Sequence, residues 1–255
     1  MLKNIYLLIY CILFWNVSYA KESLNIAVAS NFLLPMEKIA KLYEADKKNI
    51  QIKISAAASG LLTNQIKLGA PFHLFLSADT KFIDALRKEK KLVDNSIYHF
   101  ADGVLVFWMP DKKISNYSEA QISGLLRQKN LNFAMAEESF APFGRGTKEY
   151  LKNSGISVNK NFIIGKNIEQ TANYVKTKSV SAGFVSLSQV ILTENKLNYW
   201  IIPKNKYSSI AQSIAIVEGN NRVEESNHFL NFFKTNTEVK KIIQLYGYNI
   251  IASKI

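Results

Sequence analysis

The sequence predicts an α/β protein with two lobes, each built on a mixed but mostly parallel sheet flanked by helices. Short apolar stretches typical of strands alternate with longer stretches that carry the apolar periodicity of helices. Without its first 20 residues the chain has about 235 residues, which is more than one typical open sheet needs. No low-complexity linker divides the chain, so we expect lobes joined by extended strands.

The first half of the chain shows three strand–helix pairs in succession. LNIAVA precedes PMEKIAKLYEADKK, IQIKI precedes GLLTNQIKL, and HLFLS precedes a helix predicted from Asp79 to Lys91. Gly69 is expected to end the second of these helices as a C-terminal cap, with Pro71 just beyond it.

The second half continues the alternation after the apolar run GVLVFWMP. Its predicted helices and strands are SEAQISGLLRQ, LNFAMA, GTKEYLKNSG, NFIIG, IEQTANYVKTK, SAGFVS, LSQVILTEN and YWIIP. GVLVFWMP and SIAIVEG are the candidates for strands that cross between lobes, and residues 222–246 are expected to form two helices returning to the first lobe. The predicted division is residues 21–102 plus 213–255 for lobe I and residues 103–212 for lobe II.

The first 20 residues have the pattern of a secretory signal peptide. Lys3 precedes an apolar run from Ile5 to Trp15, and Ser18 and Ala20 supply the small residues expected before a cleavage site. The apolar run is too short to span a membrane. We therefore expect residues 1–20 to be removed by cleavage after Ala20.

The only cysteine, Cys11, lies inside this predicted signal peptide. Tyr10 precedes it, whereas a lipoprotein anchor needs a small residue there, so we expect no lipid attachment. The mature chain would begin at Lys21 and would have no thiol for a disulfide or a cysteine-ligated metal. The expected product is a soluble, monomeric protein exported to the periplasm.

The formal net charge is +12 at pH 7. The basic residues are scattered in pairs such as Lys47–Lys48 and Lys240–Lys241, and no basic stripe is interleaved with aromatic residues. A nucleic-acid-binding face would require such a stripe. The charge therefore indicates a solvated surface, and no nucleic-acid partner is expected.

The sequence shows no catalytic or metal-binding motif. His73, His99 and His228 are far apart and have no metal-ligand spacing. The sequence GRGT at residues 144–147 lacks the ending of a phosphate loop. The pair Glu137–Glu138 would point in different directions on regular structure, which favours a polar loop over paired catalytic carboxylates. We expect no enzyme activity, no cofactor and no bound metal cation.

The stretch SAAASG, residues 55–60, is a neutral turn of small residues between a predicted strand and a predicted helix. Two explanations compete: tight strand-to-helix packing, or a backbone concavity that a ligand approaches closely. The turn AVASN around Ser30 is similar. In open α/β sheets, ligands bind at this edge, where helix amino termini present free N–H groups.

Other predicted strands are also followed by a hydroxyl residue, a short loop or the start of a helix. Ser186 follows SAGFV, and Ile168 opens the helix after NFIIG. The loop APFG, residues 141–144, precedes a helix expected to begin at Thr147. A single serine at such a position is usually an ordinary helix N-cap. The two small-residue turns together predict that the first lobe supplies one half of an anion-binding site.

Five blocks of the sequence resemble the molybdate-binding, substrate-binding component of ABC transporters. These blocks are AVAS, AASGLLTNQIKLGAPFHLFLSAD, APFGRGTKEYL, GFVSLSQV and FFKTNTEVKKIIQLYGY, in family order over nearly the whole mature chain. The resemblance implies a type II periplasmic-binding-protein fold whose lobes close on a tetrahedral oxyanion, molybdate or tungstate. It also implies a membrane permease as partner.

The resemblance assigns five residues to the anion site. Ser30 and Ser59 would bind through hydroxyl and backbone N–H groups, and Phe143 and Ile168 through backbone N–H groups of the other lobe. Ser186 stands where the family often has tyrosine or alanine, so its shorter hydroxyl makes the fifth contact the least defined. Many members also have a serine where this chain has Ala58, which removes one donor. Arg145 is expected to face solvent and not the anion, because the family site uses neutral donors.

Two alternatives remain open on the sequence alone. A sulfate- or thiosulfate-type receptor would have the same fold and a smaller site, and the sequence does not show cavity size. An exported hydrolase with Ser59 or Ser186 as nucleophile would need a histidine base within reach, and His73, the nearest in sequence to Ser59, is not expected at the cleft.

Overall fold

Two mixed sheets organise the chain. The computed structural model describes residues 22–159, 161–192 and 197–251, so the predicted signal peptide, residues 1–20, lies outside the described residues. The six-stranded sheet has the order β11-β4-β10-β3-β1-β2, and the five-stranded sheet has the order β7-β6-β8-β5-β9. The strands are β1 Glu22–Ala29, β2 Ile50–Ala57, β3 Leu74–Ser77, β4 Tyr98–Asp102, β5 Leu105–Trp108, β6 Phe133–Ala136, β7 Phe162–Gly165, β8 Ala182–Ser186, β9 Tyr199–Ile201, β10 Ala211–Ile216 and β11 Asn249–Ile250.

Helices flank both sheets, as the alternating pattern predicts. The helices are α1 Leu33–Asp46, α2 Ser59–Lys67, α3 Thr80–Lys88, α4 Glu119–Leu126, α5 Pro142–Asn153, α6 Ile168–Lys176, α7 Val223–Thr235 and α8 Thr237–Leu245. None of the helices in the described part of the chain is long and apolar enough to cross a membrane. The chain thus has the predicted two-lobed α/β architecture.

Each face of the six-stranded sheet has its own apolar core. One core joins α1, α7 and α8 to residues such as Leu24, Ile26 and Phe100. The other joins α2 and α3 to Phe75 and Ala215 on the opposite face. Alternate residues of β1, β3 and β10 supply these cores because neighbouring side chains of a strand point to opposite faces. The lobe is therefore a three-layer sandwich, and α1, α2 and α3 start at the sheet edge where the parallel strands β1, β2 and β3 end.

The sheets are less parallel than the sequence pattern indicates. Strand β1 pairs in parallel with β2 and β3, and β6 pairs in parallel with β7 and β8. The pairs that involve β4, β5, β9, β10 and β11 are antiparallel. Four of these strands adjoin the passages between the sheets, β4 and β5 at the first passage and β9 and β10 at the second, whereas β11 follows α8.

The two runs proposed as crossing strands each lie within one sheet. GVLVFWMP contributes β5 to the five-stranded sheet, and SIAIVEG contributes most of β10 to the six-stranded sheet. The chain passes between the sheets at residues 103–104 and 202–210. The division into residues 21–102 plus 213–255 and residues 103–212 stays a prediction, and β10 begins at Ala211.

Several predicted element boundaries are wrong in detail. Helix α5 begins at Pro142 and not at Thr147, because proline with its preset φ favours the first helical position. LSQVILTEN forms a 3₁₀ turn, Leu187–Gln189, in its described part. Strands β4 and β11 are absent from the sequence interpretation, since YHFAD and NI are too short or too polar to show a clear period. The C-terminal position of Gly69 is confirmed, with φ of 85° just beyond α2.

Helix α5 packs against the end of β6 at Gly144. A Cβ at Gly144 would lie 2.3 Å from the carbonyl oxygen of Ala136, whereas one at exposed Gly124 in α4 would meet nothing within 4 Å. We expect Gly144→Ala to destabilise the fold by about 1–3 kcal/mol through overpacking. The control Gly124→Ala should stabilise it by about 0.5–1 kcal/mol.

Urea unfolding of both alanine variants beside the parent chain measures the difference. Equal stabilities for the two variants would show that α5 is not packed on the backbone of β6 as the structure has it.

Candidate functional site

A small buried cavity lies between the lobes, where four chain turns meet. Its lining residues come from the ends of β1 and β2 in one lobe and from the starts of α5 and α6 in the other. They are Ala29, Ser30, Asn31, Ala58, Ser59, Ala141, Pro142, Phe143 and Ile168. The cavity is small, about 10 Å³, so it has no space for an extended organic ligand.

Backbone N–H groups of helix amino termini surround this cavity. Ser59 and Ile168 are the first residues of α2 and α6, and Phe143 is the second residue of α5. The first N–H groups of a helix have no acceptor within the helix. Pro142 has no N–H, so Phe143 supplies the first donor of α5. The helix dipoles add partial positive charge at the same point, which makes the cavity suited to an anion.

Ser30 carries a buried hydroxyl without a partner. Its Oγ has no hydrogen-bond partner among the described residues, although the residue is only 3% exposed. An unpaired buried hydroxyl costs about 1–3 kcal/mol. A ligand oxygen in the cavity would remove that cost, so this hydroxyl is the clearest sign that the cavity holds something polar.

Ser59 is oriented by the chain around it. Its Oγ accepts a hydrogen bond from the Ala78 N–H at 3.1 Å, and its backbone carbonyl accepts one from the Thr63 hydroxyl. Because the Oγ already accepts, its own hydrogen is available for a partner in the cavity. Ser59 is completely buried, so that partner must come from the protein or from a bound ligand.

Small residues let the lobes meet closely beside the cavity. The Gly60 N–H donates to the Phe140 carbonyl of the other lobe at 3.0 Å. A Cβ at Gly60 would lie 3.0 Å from Phe140 Cα. The methyl groups of Ala29, Ala58 and Ala78 join the apolar core of the second lobe. Both explanations of SAAASG therefore apply, since its small residues serve packing and also leave backbone N–H groups uncovered.

Four of the five predicted site residues line the cavity, and the fifth does not. Ser30, Ser59, Phe143 and Ile168 lie in its wall. Ser186 is buried but caps the 3₁₀ turn, with its Oγ 2.9 Å from the Ser188 hydroxyl and its N–H bonded to Gln189. Its hydroxyl is therefore engaged within its own turn and is absent from the cavity wall.

Asn31 lines the cavity but is missing from the sequence interpretation. It follows Ser30 in the turn AVASN, and the only available signal was this place in a small-residue turn. Its side-chain amide donates to the Gln212 Oε1 at 2.8 Å and to the Tyr248 hydroxyl at 2.9 Å. These partners lie 181 and 217 positions away in the chain, so no local pattern could indicate them.

Arg145 pairs with acidic residues and is absent from the cavity wall. Its guanidinium bonds the buried Asp79 carboxylate of the other lobe and lies 3.5 Å from Glu149. Asp79 also accepts a hydrogen bond from the Lys81 N–H at the start of α3. Arg145 is thus only partly exposed, not solvent-facing as expected, and its charge is matched within the protein.

The cavity wall contains no titratable side chain. Within the described residues no cluster of three histidine, cysteine, aspartate or glutamate side chains could hold a metal cation. A larger cavity of about 340 Å³ lies beside His73 at the other end of β3. There, the His73 Nδ1 accepts from the Asn25 N–H and its Nε2 faces the Asn221 amide oxygen. Burial lowers the pKa of His73, so the ring is a neutral structural group.

Known proteins resemble this chain over most of its length. The family model described as bacterial extracellular solute-binding protein matches residues 24–249. The chain belongs to this family of solute-binding proteins. The molybdate-binding protein ModA of Rhodobacter capsulatus is 30% identical over 225 residues, which cover 87% of this chain and 86% of that protein.

Two solved structures have a fold similar to that of this chain. The Azotobacter vinelandii periplasmic molybdate-binding protein has a TM-score of 0.82 at 24% identity, with 90% of this chain and 100% of that chain covered. The sulfate-binding protein SubI of Mycobacterium tuberculosis has a TM-score of 0.71 at 15% identity, with 91% and 88% covered. At these identities the likeness establishes the two-lobed fold of this solute-binding protein.

Proposed function

We propose that this exported solute-binding protein captures molybdate, or the similar tungstate, between its lobes and delivers it to the membrane permease of an ABC importer. The observation that carries the proposal is the buried Ser30 hydroxyl, which has no partner among the described residues and borders a cavity ringed by helix amino termini. The relation to the Rhodobacter capsulatus molybdate-binding protein supports the identity of the cargo.

The proposed donors are neutral. Ser30 and Ser59 act through hydroxyl and N–H groups, and Phe143 and Ile168 act through their N–H groups. We add Asn31 to this set because it lines the cavity, and we place Ser186 outside it. Such a site stabilises a dianion with partial charges and hydrogen bonds rather than with a fixed counter-ion.

The chemistry of the wall is expected to disfavour phosphate. Molybdate, tungstate and sulfate carry no proton near neutral pH, whereas phosphate keeps an O–H that needs an acceptor. The lining residues include no carboxylate and no histidine. A buried O–H without a partner costs about 1–3 kcal/mol. Cavity size must then separate molybdate from the smaller sulfate.

The role is binding rather than catalysis. Neither serine of the cavity has a histidine beside it: His73 lies at the far end of β3, the His99 Nδ1 lies 2.6 Å from the Ser213 hydroxyl, and His228 lines a separate surface pocket. A serine nucleophile needs such a base within hydrogen-bond reach. We further propose that the signal peptide is cut after Ala20 and that the protein acts as a periplasmic monomer without a nucleic-acid partner or cofactor.

A thermal-shift panel tests the proposed cargo. Molybdate or tungstate at 100 times its dissociation constant should add about 2.7 kcal/mol of stability, or about 5–10 °C in Tm for a chain of this size. Sulfate should raise Tm less, and phosphate should leave it unchanged. A shift with sulfate alone would favour the sulfate-type receptor, and no shift with any of the four anions would contradict oxyanion binding.

Paired serine variants test the assignment of the wall. Ser59→Ala should weaken molybdate binding about ten- to a hundredfold, since it loses a hydroxyl bond to a charged partner worth about 1.5–3 kcal/mol. Ser186→Ala should cost under about 1 kcal/mol, because Ser186 bonds Ser188 and not the cavity.

Calorimetric titration of both serine variants decides this order. The melting temperature of each without ligand controls for the Ala78 bond that Ser59→Ala also removes. Greater damage from Ser186→Ala would place Ser186 in contact with the anion.

An arginine variant tests whether the anion is held without a charged side chain. Arg145→Ala should weaken molybdate binding less than tenfold, because the guanidinium is engaged by Asp79 and Glu149. Lys148→Ala is the matched control, since Lys148 lies on the same helix and pairs with Glu138. A hundredfold loss by titration for Arg145→Ala alone would mean that the arginine binds the anion directly.

A further inference from the structure

The backbone carbonyl of Asn31 lies at the centre of a buried hydrogen-bond network next to the cavity. It accepts from the Tyr248 hydroxyl at 2.7 Å and from the Ser188 hydroxyl at 2.7 Å. The Asn31 side chain donates to Tyr248 and to Gln212. All four residues are buried, so both the backbone and the amide of Asn31 are held in one orientation.

The sequence explains why this carbonyl needs side-chain donors. An α-helical carbonyl at position 31 would accept from the N–H of residue 35, and that residue is Pro35. Proline has no N–H, so the α-helical partner is missing. A buried carbonyl left in this state is costly, and the hydroxyls of Tyr248 and Ser188 replace the missing donor.

The two hydroxyls come from different lobes. Tyr248 lies between α8 and β11, beside the six-stranded sheet to which Asn31 also belongs. Ser188 lies in the 3₁₀ turn after β8 of the five-stranded sheet. The bond from Tyr248 is therefore internal to one lobe, whereas the bond from Ser188 exists only while the lobes are closed.

We propose that Tyr248 and Ser188 are positioning residues for anion capture. Tyr248 holds the Ser30–Asn31 turn so that its donors face the cavity, and Ser188 ties that turn to closure of the second lobe. This inference rests on the proposed oxyanion binding and deepens it. It assigns to Ser188, in the turn after β8, a contact with the protein of the opposite lobe.

The chemistry of Tyr248 suits this task. Burial raises the pKa of its hydroxyl well above the ordinary value of tyrosine, so the phenol keeps its proton throughout the physiological range. A phenolate could not donate to the Asn31 carbonyl. The donor is therefore permanent, and closure adds the second donor from Ser188.

The variants Tyr248→Phe and Ser188→Ala each remove one hydroxyl and leave the rest of the side chain in place. Tyr248→Phe should weaken molybdate binding about tenfold. Ser188→Ala should raise the molybdate dissociation rate about three- to tenfold while the association rate changes little, because its bond forms after encounter. The double variant should lose less than the product of the two, since both hydroxyls serve one carbonyl.

Two matched controls separate this role from general stability. Ser226→Ala removes a buried serine hydroxyl that donates to the Arg222 carbonyl at the start of α7. Tyr43→Phe removes a buried tyrosine hydroxyl that has no partner among the described residues. Both controls should bind molybdate within twofold of the parent chain.

A distance measurement reports closure directly. The chain has one cysteine, Cys11, inside the predicted signal peptide. Spin labels at Lys53→Cys on β2 and Lys152→Cys on α5, both exposed, therefore report on the two lobes alone. Molybdate should shorten the interlobe distance in the parent chain, and Ser188→Ala should leave a larger open fraction at saturating molybdate.

The outcomes distinguish this inference from the function on which it rests. If the parent chain binds no oxyanion, the proposed function fails and the inference fails with it. If the parent binds molybdate while Tyr248→Phe and Ser188→Ala bind within twofold and close normally, the inference alone is overturned. If Tyr248→Phe lowers Tm and affinity while Ser188→Ala changes neither rate nor distance, Tyr248 is structural and the coupling between lobes is refuted.

Discussion

Unpaired N–H groups at helix amino termini are the constraint on which the rest of this structure depends. A helix leaves its first N–H groups without internal acceptors, and burial makes that lack costly. Here the starts of α2, α5 and α6 and the turn at Ser30 meet in one cavity between the lobes. The two-lobed arrangement concentrates these donors, and the proposed anion would satisfy several of them at once.

Small side chains allow these helix termini to lie so close together. Ala29 and Ala58 stand at the strand ends, and Gly60 lies against Phe140 of the opposite lobe. Larger residues would cover the N–H groups or hold the lobes apart. Arg145, which joins the two lobes, is bonded to Asp79, so its charge is matched within the protein. The proposed anion binding therefore depends on backbone geometry more than on net charge.

The fold by itself does not choose the anion. The sulfate-binding protein SubI has the same two-lobed shape at low sequence identity. Selection must then come from the few groups of the cavity wall and from its size. The Asn31 network shows how the wall is held: its orientation depends on residues from the C-terminal segment, from β10 and from the second lobe.

The sequence by itself determined the local features. The alternation of short apolar strands and helices predicted two α/β lobes, and small or hydroxyl residues after strands identified Ser30 and Ser59, because such patterns depend on neighbouring residues. The resemblance to a known family assigned roles to Phe143 and Ile168. Both would bind through backbone N–H groups, so their side chains give no chemical signal in the sequence.

Only the tertiary structure decided which of these residues meet. It excluded Ser186 from the cavity wall, added Asn31, and bonded Arg145 to Asp79. It also showed antiparallel pairing near the passages between sheets, which no periodicity reveals. The physical reason is the same in each case: the contacts join residues far apart in the chain, and their geometry is set by how the lobes pack.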